Sequence, residues 1–253
     1  MSSSALRLIG WSRLRAGAKR LPAVLSDGLD LVWPTTVCVE LAKVDWSIDE
    51  PLDYCPRCGV SAGPGSVMPD GCTFCREDNM LWDRVTRLSA YQEPMEDWIK
   101  AMKFGRQWPW AKWLGGHLAD RLPQPVEPGK IVIVAVPMHW ARRWRRGFNQ
   151  AELMAKVIGK QHGWPVLPLL RRTRHTQPQP AVAASARHLN VRDSFAMHGV
   201  DLTGYQVVLV DDIKTTGATA NVCCKLLTKA GARSIHLAVA AVADPGGKDV
   251  TRQ

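Results

Sequence analysis

Residues 207–219, VVLVDDIKTTGAT, constrain the fold of this chain more than any other stretch. The run 207–210 is aliphatic throughout, the pattern of a strand covered on both faces in a parallel sheet. Two carboxylates, Asp211 and Asp212, end it, and a segment of hydroxyls and glycine follows: Lys214, Thr215, Thr216, Gly217, Ala218 and Thr219. From about Thr219, Val222, Leu226 and Ala230 recur at i, i+4 and i+8 with Cys223 and Leu227 beside them, which predicts a helix stopped by Gly231. A strand leading through such a loop into a helix gathers threonine hydroxyls and unpaired backbone N–H groups around one point, and that is an anion site. Carboxylates just before it are wrong for holding phosphate but right for accepting hydrogen bonds from sugar hydroxyls. A ribose 5-phosphate fits both halves, with its phosphate in the loop and its 2- and 3-hydroxyls on the acids. The plainer reading is an acidic turn before a Thr-capped helix, but a cap needs neither two acids nor three threonines in nine residues.

The rest of the chain supplies the sheet this unit requires. Residues 85–91 suit a strand, and 95–104 and 110–122 suit helices. After a proline-rich connector, 122–130, comes a second apolar strand, 131–136, then a helix over 149–160 and a short apolar segment, 165–170. A polar stretch, 171–190, shows no periodicity, and 235–242 closes the series as a strand. Alternating strands and helices predict an α/β domain with a mainly parallel sheet flanked by helices, whose ligands bind at the carboxyl ends of its strands.

Residues 38–80 have a different character, dominated by turn formers and cysteines. Cys55 and Cys58 form one CxxC pair and Cys72 and Cys75 another, thirteen residues apart. Each pair turns two thiolates toward one ion, and together they complete a tetrahedral four-sulfur site, as in a zinc ribbon. With all four positions filled by protein, such a zinc is structural. The alternative is a set of disulfides or free thiols. Cys223 and Cys224 fall in a helix and suit packing, and Cys38 stands alone. The organisation expected is a basic tail and apolar lead-in over 1–37, the ribbon over 38–80, the α/β domain over 81–245 and a C-terminal tail over 246–253.

Charge narrows the partners. The net charge of +10 falls entirely between Trp140 and Arg192, a window with eleven Lys or Arg and one acid, Glu152. A localised basic zone implies a polyanion such as phosphate, pyrophosphate or nucleic acid. Taken singly, each arginine suits a solvated face equally well. Trp140 and Trp144, interleaved with the arginines at i, i+4, have core packing as their default, although stacking on single-stranded bases needs the same parts. His139, beside a strand end, reads as structural before it reads as an acid–base group. With 46% hydrophobic residues the chain can bury a full core, which excludes disorder as a description of the whole. No apolar run approaches the about 20 residues that span a bilayer, so no membrane span is expected, and the paired cysteines suit a reducing compartment, so the expected location is the cytoplasm.

The 207–219 stretch resembles the PRPP-binding motif of type I phosphoribosyltransferases. Several further segments resemble the ComF (ComFC) family of competence-associated proteins: 135–155, AVPMHWARRWRRGFNQAELMA; Arg172, Arg174, Thr176, Gln179, Arg187, Asn190 and Phe195; Lys103-Phe104; and the lead-in 29–38. The resemblance covers most of 29–242. It implies a phosphoribosyltransferase-like domain behind an N-terminal zinc ribbon. Many members of that family carry eight ribbon cysteines; here Leu41 stands where the partner of Cys38 would be, so one metal is expected.

By the same resemblance the ligand is PRPP with Mg²⁺, the magnesium held mostly by PRPP oxygens and water. The reaction is pentosyl transfer with release of pyrophosphate, to an acceptor the sequence does not identify. Residues 138–147 become the pyrophosphate loop, with Arg142 and Arg143 on the ligand and Arg145 and Arg146 joining Asp211 and Asp212 as catalytic groups. Arg172 and Arg174 fall where a mobile catalytic loop would bind PRPP. The competing reading is a module binding single-stranded DNA or DNA-processing proteins during DNA uptake, through the ribbon and the basic zone.

Overall fold

The computed structural model describes residues 47–51, 53–63, 65–124, 130–173 and 194–245. Cys38, Leu41, Arg174, both tails and the strings around Thr176, Gln179 and Arg187 lie outside the described residues. Among the described residues, no helix is long and apolar enough to cross a membrane.

A parallel four-stranded sheet organises the domain. Its strands are β3 (Arg84–Ala90), β4 (Ile131–Ala135), β7 (Gln206–Lys214) and β8 (Ser234–Val242), in the order β3-β8-β7-β4. Helices α1 (Met95–Phe104) and α2 (Pro109–Arg121) follow β3. Helices α3 (Trp140–Arg146) and α4 (Gln150–His162) follow β4, and α5 (Ala218–Lys229) links β7 to β8. A small antiparallel hairpin, β5 (Leu170–Arg172) with β6 (Phe195–Met197), sits in the β4–β7 connection. Another, β1 (Val67–Met68) with β2 (Gly71–Cys72), carries the third cysteine. The architecture is the expected α/β one: a parallel sheet flanked by helices, with the cysteine module on its N-terminal side.

The central strands are apolar because they are enclosed. Val207, Val208, Leu209 and Val210 are at most 3% exposed, as are Ile133 and Val134 and all of 237–242. Burying a side chain of this kind stabilises the fold by about 1.5–3 kcal/mol, so these strands hold the sheet together. The helix α5 directs Ala220, Cys223, Cys224 and Leu227 into the same core, so the two adjacent cysteines do pack. Their burial pushes both thiols up, Cys224 to about 12, and keeps them protonated and inert.

Two expectations about local structure are corrected. The strand β7 does not end at Val210 but continues through both acids to Lys214, because β8 still pairs with it there: Asp211 faces Val239, and Lys214 faces Val242. On the other side β4 stops at Ala135, paired with Val210. From Asp211 onward, β7 therefore has a free edge toward β4. The segment after α4 runs along the far side of β4, where Val166 bridges Ile133. A crevice thus opens between the carboxyl ends of β4 and β7, the switch point where such sheets bind ligands.

The second correction concerns 138–147, expected as a loop. It contains a short helix, α3, begun by the His139 ring accepting from the Ala141 N–H at 3.3 Å and ended by Gly147 at φ 87°. His139 is thus structural, 5% exposed. Trp140 and Trp144 do not pack in a core: they are 73% and 86% exposed. Arginines occupy the inward turns of α3 and leave the tryptophans to solvent.

Candidate functional site

One wall of the crevice is the end of β7, its loop and the start of α5. Asp211, Lys214, Thr215, Thr216, Gly217, Ala218 and Thr219 all line a single cleft there, floored by Leu237 and Val239. Gly217 caps α5 at φ 76°, a left-handed conformation that costs glycine nothing. The Asn221 N–H bonds back to the Gly217 carbonyl, and the Ala218 N–H has only a long contact, 3.4 Å, to the Thr216 hydroxyl. The N–H groups of Thr219 and Ala220, in the first turn, have no carbonyl to bond within the helix. The result is a small donor cup at the positive end of a twelve-residue helix.

The acids stand at the rim. The Asp212 N–H donates to Asp211 Oδ1 at 2.8 Å. Asp211 keeps part of its surface on the cleft, yet burial, helped by the adjacent Asp212, raises its carboxyl well above the carboxylate range. Asp212, on the other face of the strand, pairs with Lys103 Nζ at 3.1 Å. Lys214 is 6% exposed, with Nζ 3.5 Å from the Thr215 carbonyl; burial lowers it, opposed by Cys58, Asp78, Cys75 and Asp244. Its charge lies under the loop, toward the cysteines.

The other wall is basic. Arg142, Arg146 and Arg172 are half-buried, and desolvation lowers each guanidinium from its usual value. Asp212 acts back on Arg146, and Asp211 on Arg172. Arg146 lies over the Phe104 ring at 5.7 Å and Arg172 over Phe195 at 5.2 Å, contacts that aim the guanidinium planes. The fold therefore brings Arg146 and Arg172 to the acids, with Arg142 beside both arginines. It draws Arg143 away, to Glu152 at 2.9 Å, and leaves Arg145 exposed, with its carbonyl receiving the Arg106 guanidinium. Lys103 is a site neighbour that residue-by-residue reading missed. Its only sequence signal was the Lys103-Phe104 element, whose two residues turn out to contact Asp212 and Arg146.

The four cysteines converge as the spacing required. Their sulfurs lie within 4.8 Å of one another: Cys55–Cys75 and Cys72–Cys75 at 3.8 Å, and Cys58–Cys72 at 3.6 Å. A tetrahedral ion with bonds of about 2.3 Å to sulfur needs edges of about 3.8 Å, so the set fits a zinc-like ion. Burial raises the Cys58 thiol and its neighbours Cys55 and Cys75 add to this, so four thiolates at this spacing call for a cation. It is the only such ligand group among the described residues. The cysteines belong to the main apolar cluster, with Trp82, Val85 and Val242.

Known proteins are similar to this chain over most of its length. The phosphoribosyl transferase domain family matches residues 144–252. The chain is 31% identical over 195 residues to competence protein F of Haemophilus influenzae, covering 73% of this chain and 82% of that one. It is 30% identical over 209 residues to DNA utilization protein YhgH of Escherichia coli K12, covering 80% and 87%. To competence protein ComFC of Streptococcus pneumoniae it is 29% identical over 183 residues, covering 72% and 78%. On this similarity, and on a phosphoribosyltransferase-type sheet behind a four-cysteine cluster, the chain belongs to the competence protein F/ComFC family.

Proposed function

We propose that the crevice between β4 and β7 binds PRPP with Mg²⁺, and that the protein transfers its phosphoribosyl group to an acceptor with loss of pyrophosphate. One observation carries this reading: Asp211 and a helix-start donor cup line one cleft, Asp212 stands beside it at the strand end, and Arg146 and Arg172 lie within electrostatic reach of the two acids. The 5-phosphate takes the N–H groups and hydroxyls of Thr215, Thr216, Gly217, Ala218 and Thr219, with Lys214 beneath the loop adding positive potential. Asp211 and Asp212 accept from the ribose hydroxyls. Arg142, Arg146 and Arg172 take the pyrophosphate, while Arg143 and Arg145 supply field rather than contact.

Loss of pyrophosphate leaves an electron-poor ribose carbon, and the groups that favour it are those that stabilise the departing charge. Magnesium, held by PRPP oxygens and water, supplies further neutralisation when bound. This chain's own part is to fix the ribose through the acids and receive the leaving oxygens on preorganised guanidinium planes. The four cysteines hold one structural zinc.

Titration calorimetry with Mg·PRPP tests the reading. Saturable one-to-one binding that is weaker for ribose 5-phosphate is the expected result; no heat with either ligand overturns it.

A second reading draws on α3. Trp140 and Trp144 stand 73% and 86% exposed beside four arginines, the parts of a single-strand stacking surface, and relatives are named for DNA utilization and competence. It predicts affinity for single-stranded DNA that falls steeply with salt. A flat salt response, or full binding after Arg142, Arg143, Arg145 and Arg146 all become alanine, removes it.

A further inference from the structure

The cysteine knuckle and the donor cup are joined by a continuous set of contacts that neither a structural zinc nor a PRPP loop requires by itself. The Arg57 side chain, inside the first CxxC turn, donates from Nη1 to the carbonyls of Asp70 and Cys75 and from Nη2 to that of Asp78 at 3.0 Å. It thereby ties the first knuckle to the second and to the segment leaving it. The Arg57 carbonyl accepts the Trp82 indole N–H at 2.8 Å. That indole, 4% exposed, lies directly under Gly217: a Cβ at Gly217 would meet Trp82 Cη2 at 2.7 Å. The same segment also grips the first turn of α5. Asn221 Oδ1 accepts from the Leu81 N–H at 2.9 Å, and its Nδ2 donates to the Asn79 carbonyl at 3.3 Å.

The Arg57 contacts at the head of this path join the two knuckles directly. Arg57 sits between Cys55 and Cys58, and its acceptors Cys75 and Asp78 belong to the other knuckle and its exit. No disulfide joins the two knuckles, so the ion that the four sulfurs would share is what ties one to the other at 3.6–3.8 Å. If they part, the Trp82 indole loses its acceptor and Asn221 its two partners, and the cup loses the surface against which it is formed.

We propose that the four-cysteine site is a metal-dependent buttress of the anion-binding loop, with Arg57, Trp82 and Asn221 as positioning residues that transmit metal occupancy to residues 215–221. The inference rests on the reading of that loop as an anion site. Because coupling between two binding events is reciprocal, an anion bound in the cup also holds the metal more tightly. The loop's order, and not only the stability of the small module, follows metal occupancy.

Amide hydrogen exchange on the full chain tests the buttress without any ligand. After zinc is removed by chelation, the amides of Asn221, Val222, Cys223 and Cys224 exchange at least tenfold faster, while those of Leu209 and Leu237 in the sheet keep their protection. A Trp82→Phe variant at full zinc occupancy loses both the indole N–H to Arg57 and the ring edge under Gly217, and shows the same change in part. This variant decides the matter if chelation unfolds the whole chain. Unchanged exchange in Trp82→Phe and in any folded chelated protein overturns the proposal. A second arm follows zinc release to a chromogenic chelator with and without Mg·PRPP. Release slowed severalfold by the ligand supports the coupling; equal rates, with binding shown by calorimetry, overturn it. Should Mg·PRPP not bind, the ligand assignment fails while the exchange arm still decides the buttress.

Discussion

The two walls of the crevice are built differently. The β7 wall is continuous with the sheet: its acids extend a fully buried strand, its loop is three residues long, and its helix is locked into the core by Cys223, Cys224 and Leu227. The β4 wall stands apart from the core. Helix α3 has no buried residue, and its arginines are steered by neighbours of their own, Glu152, Phe104 and Asp212. The difference assigns the walls different work. In the proposed function, the rigid wall holds the group that does not react, the ribose 5-phosphate, and the wall of long cationic side chains adapts to the one that leaves.

That contrast can be broken by mutation. The largest loss is expected from Asp211→Asn with Asp212→Asn, which removes two charge-assisted acceptors from the rigid wall. At about 1.5–3 kcal/mol for each hydrogen bond to a charged group, Mg·PRPP affinity falls at least about 100-fold. Calorimetry with an unchanged dissociation constant would remove the acids from the site. Next is Cys55→Ser, which leaves three thiolates: metal analysis gives one zinc per wild-type chain and none in the variant. Two zincs in wild type would contradict the single-site assignment.

A smaller effect separates the arginines. Arg146→Ala, losing one guanidinium at the crevice, weakens Mg·PRPP about 10-fold, while Arg143→Ala, already paired with Glu152, changes it less than about twofold. Equal losses would show that the Arg143–Glu152 pair opens on binding.

The smallest effect is on pH. Burial and Asp212 raise Asp211 in the unliganded protein, and ribose hydroxyls favour its ionised form. Binding therefore releases protons, and affinity rises with pH through that raised value. The sign for stability is opposite. The folded state holds the Asp211 proton more tightly than the unfolded chain, so the unliganded protein loses stability as pH rises from the usual carboxylate range to the raised one. Calorimetry in buffers of different ionisation heat, and thermal melts across that range, check both signs.

The β7 wall was readable in the sequence because its signals are local. Four aliphatic residues, two acids and a Thr/Gly turn specify strand, rim and cup within a single stretch, and the paired CxxC spacing does the same for the knuckle. What remained hidden depends on distant partners. That β7 continues to Lys214 follows from pairing with 239–242, which no feature of 207–219 announces. The exposure of Trp140 and Trp144 follows from which side of a two-turn helix meets α1 and Asp212. Lys103 joins the site only because α1 follows β3 onto the carboxyl end of the sheet. The Trp82–Gly217 contact spans 135 residues of chain and has no sequence pattern at all.

Paired calorimetry on an Arg142→Ala/Arg146→Ala variant tests most directly whether the two walls hold opposite ends of one molecule. Mg·PRPP affinity is expected to drop at least about tenfold while ribose 5-phosphate, which does not reach the basic wall, binds as it does to wild type. Equal weakening of both ligands, or of neither, would contradict it.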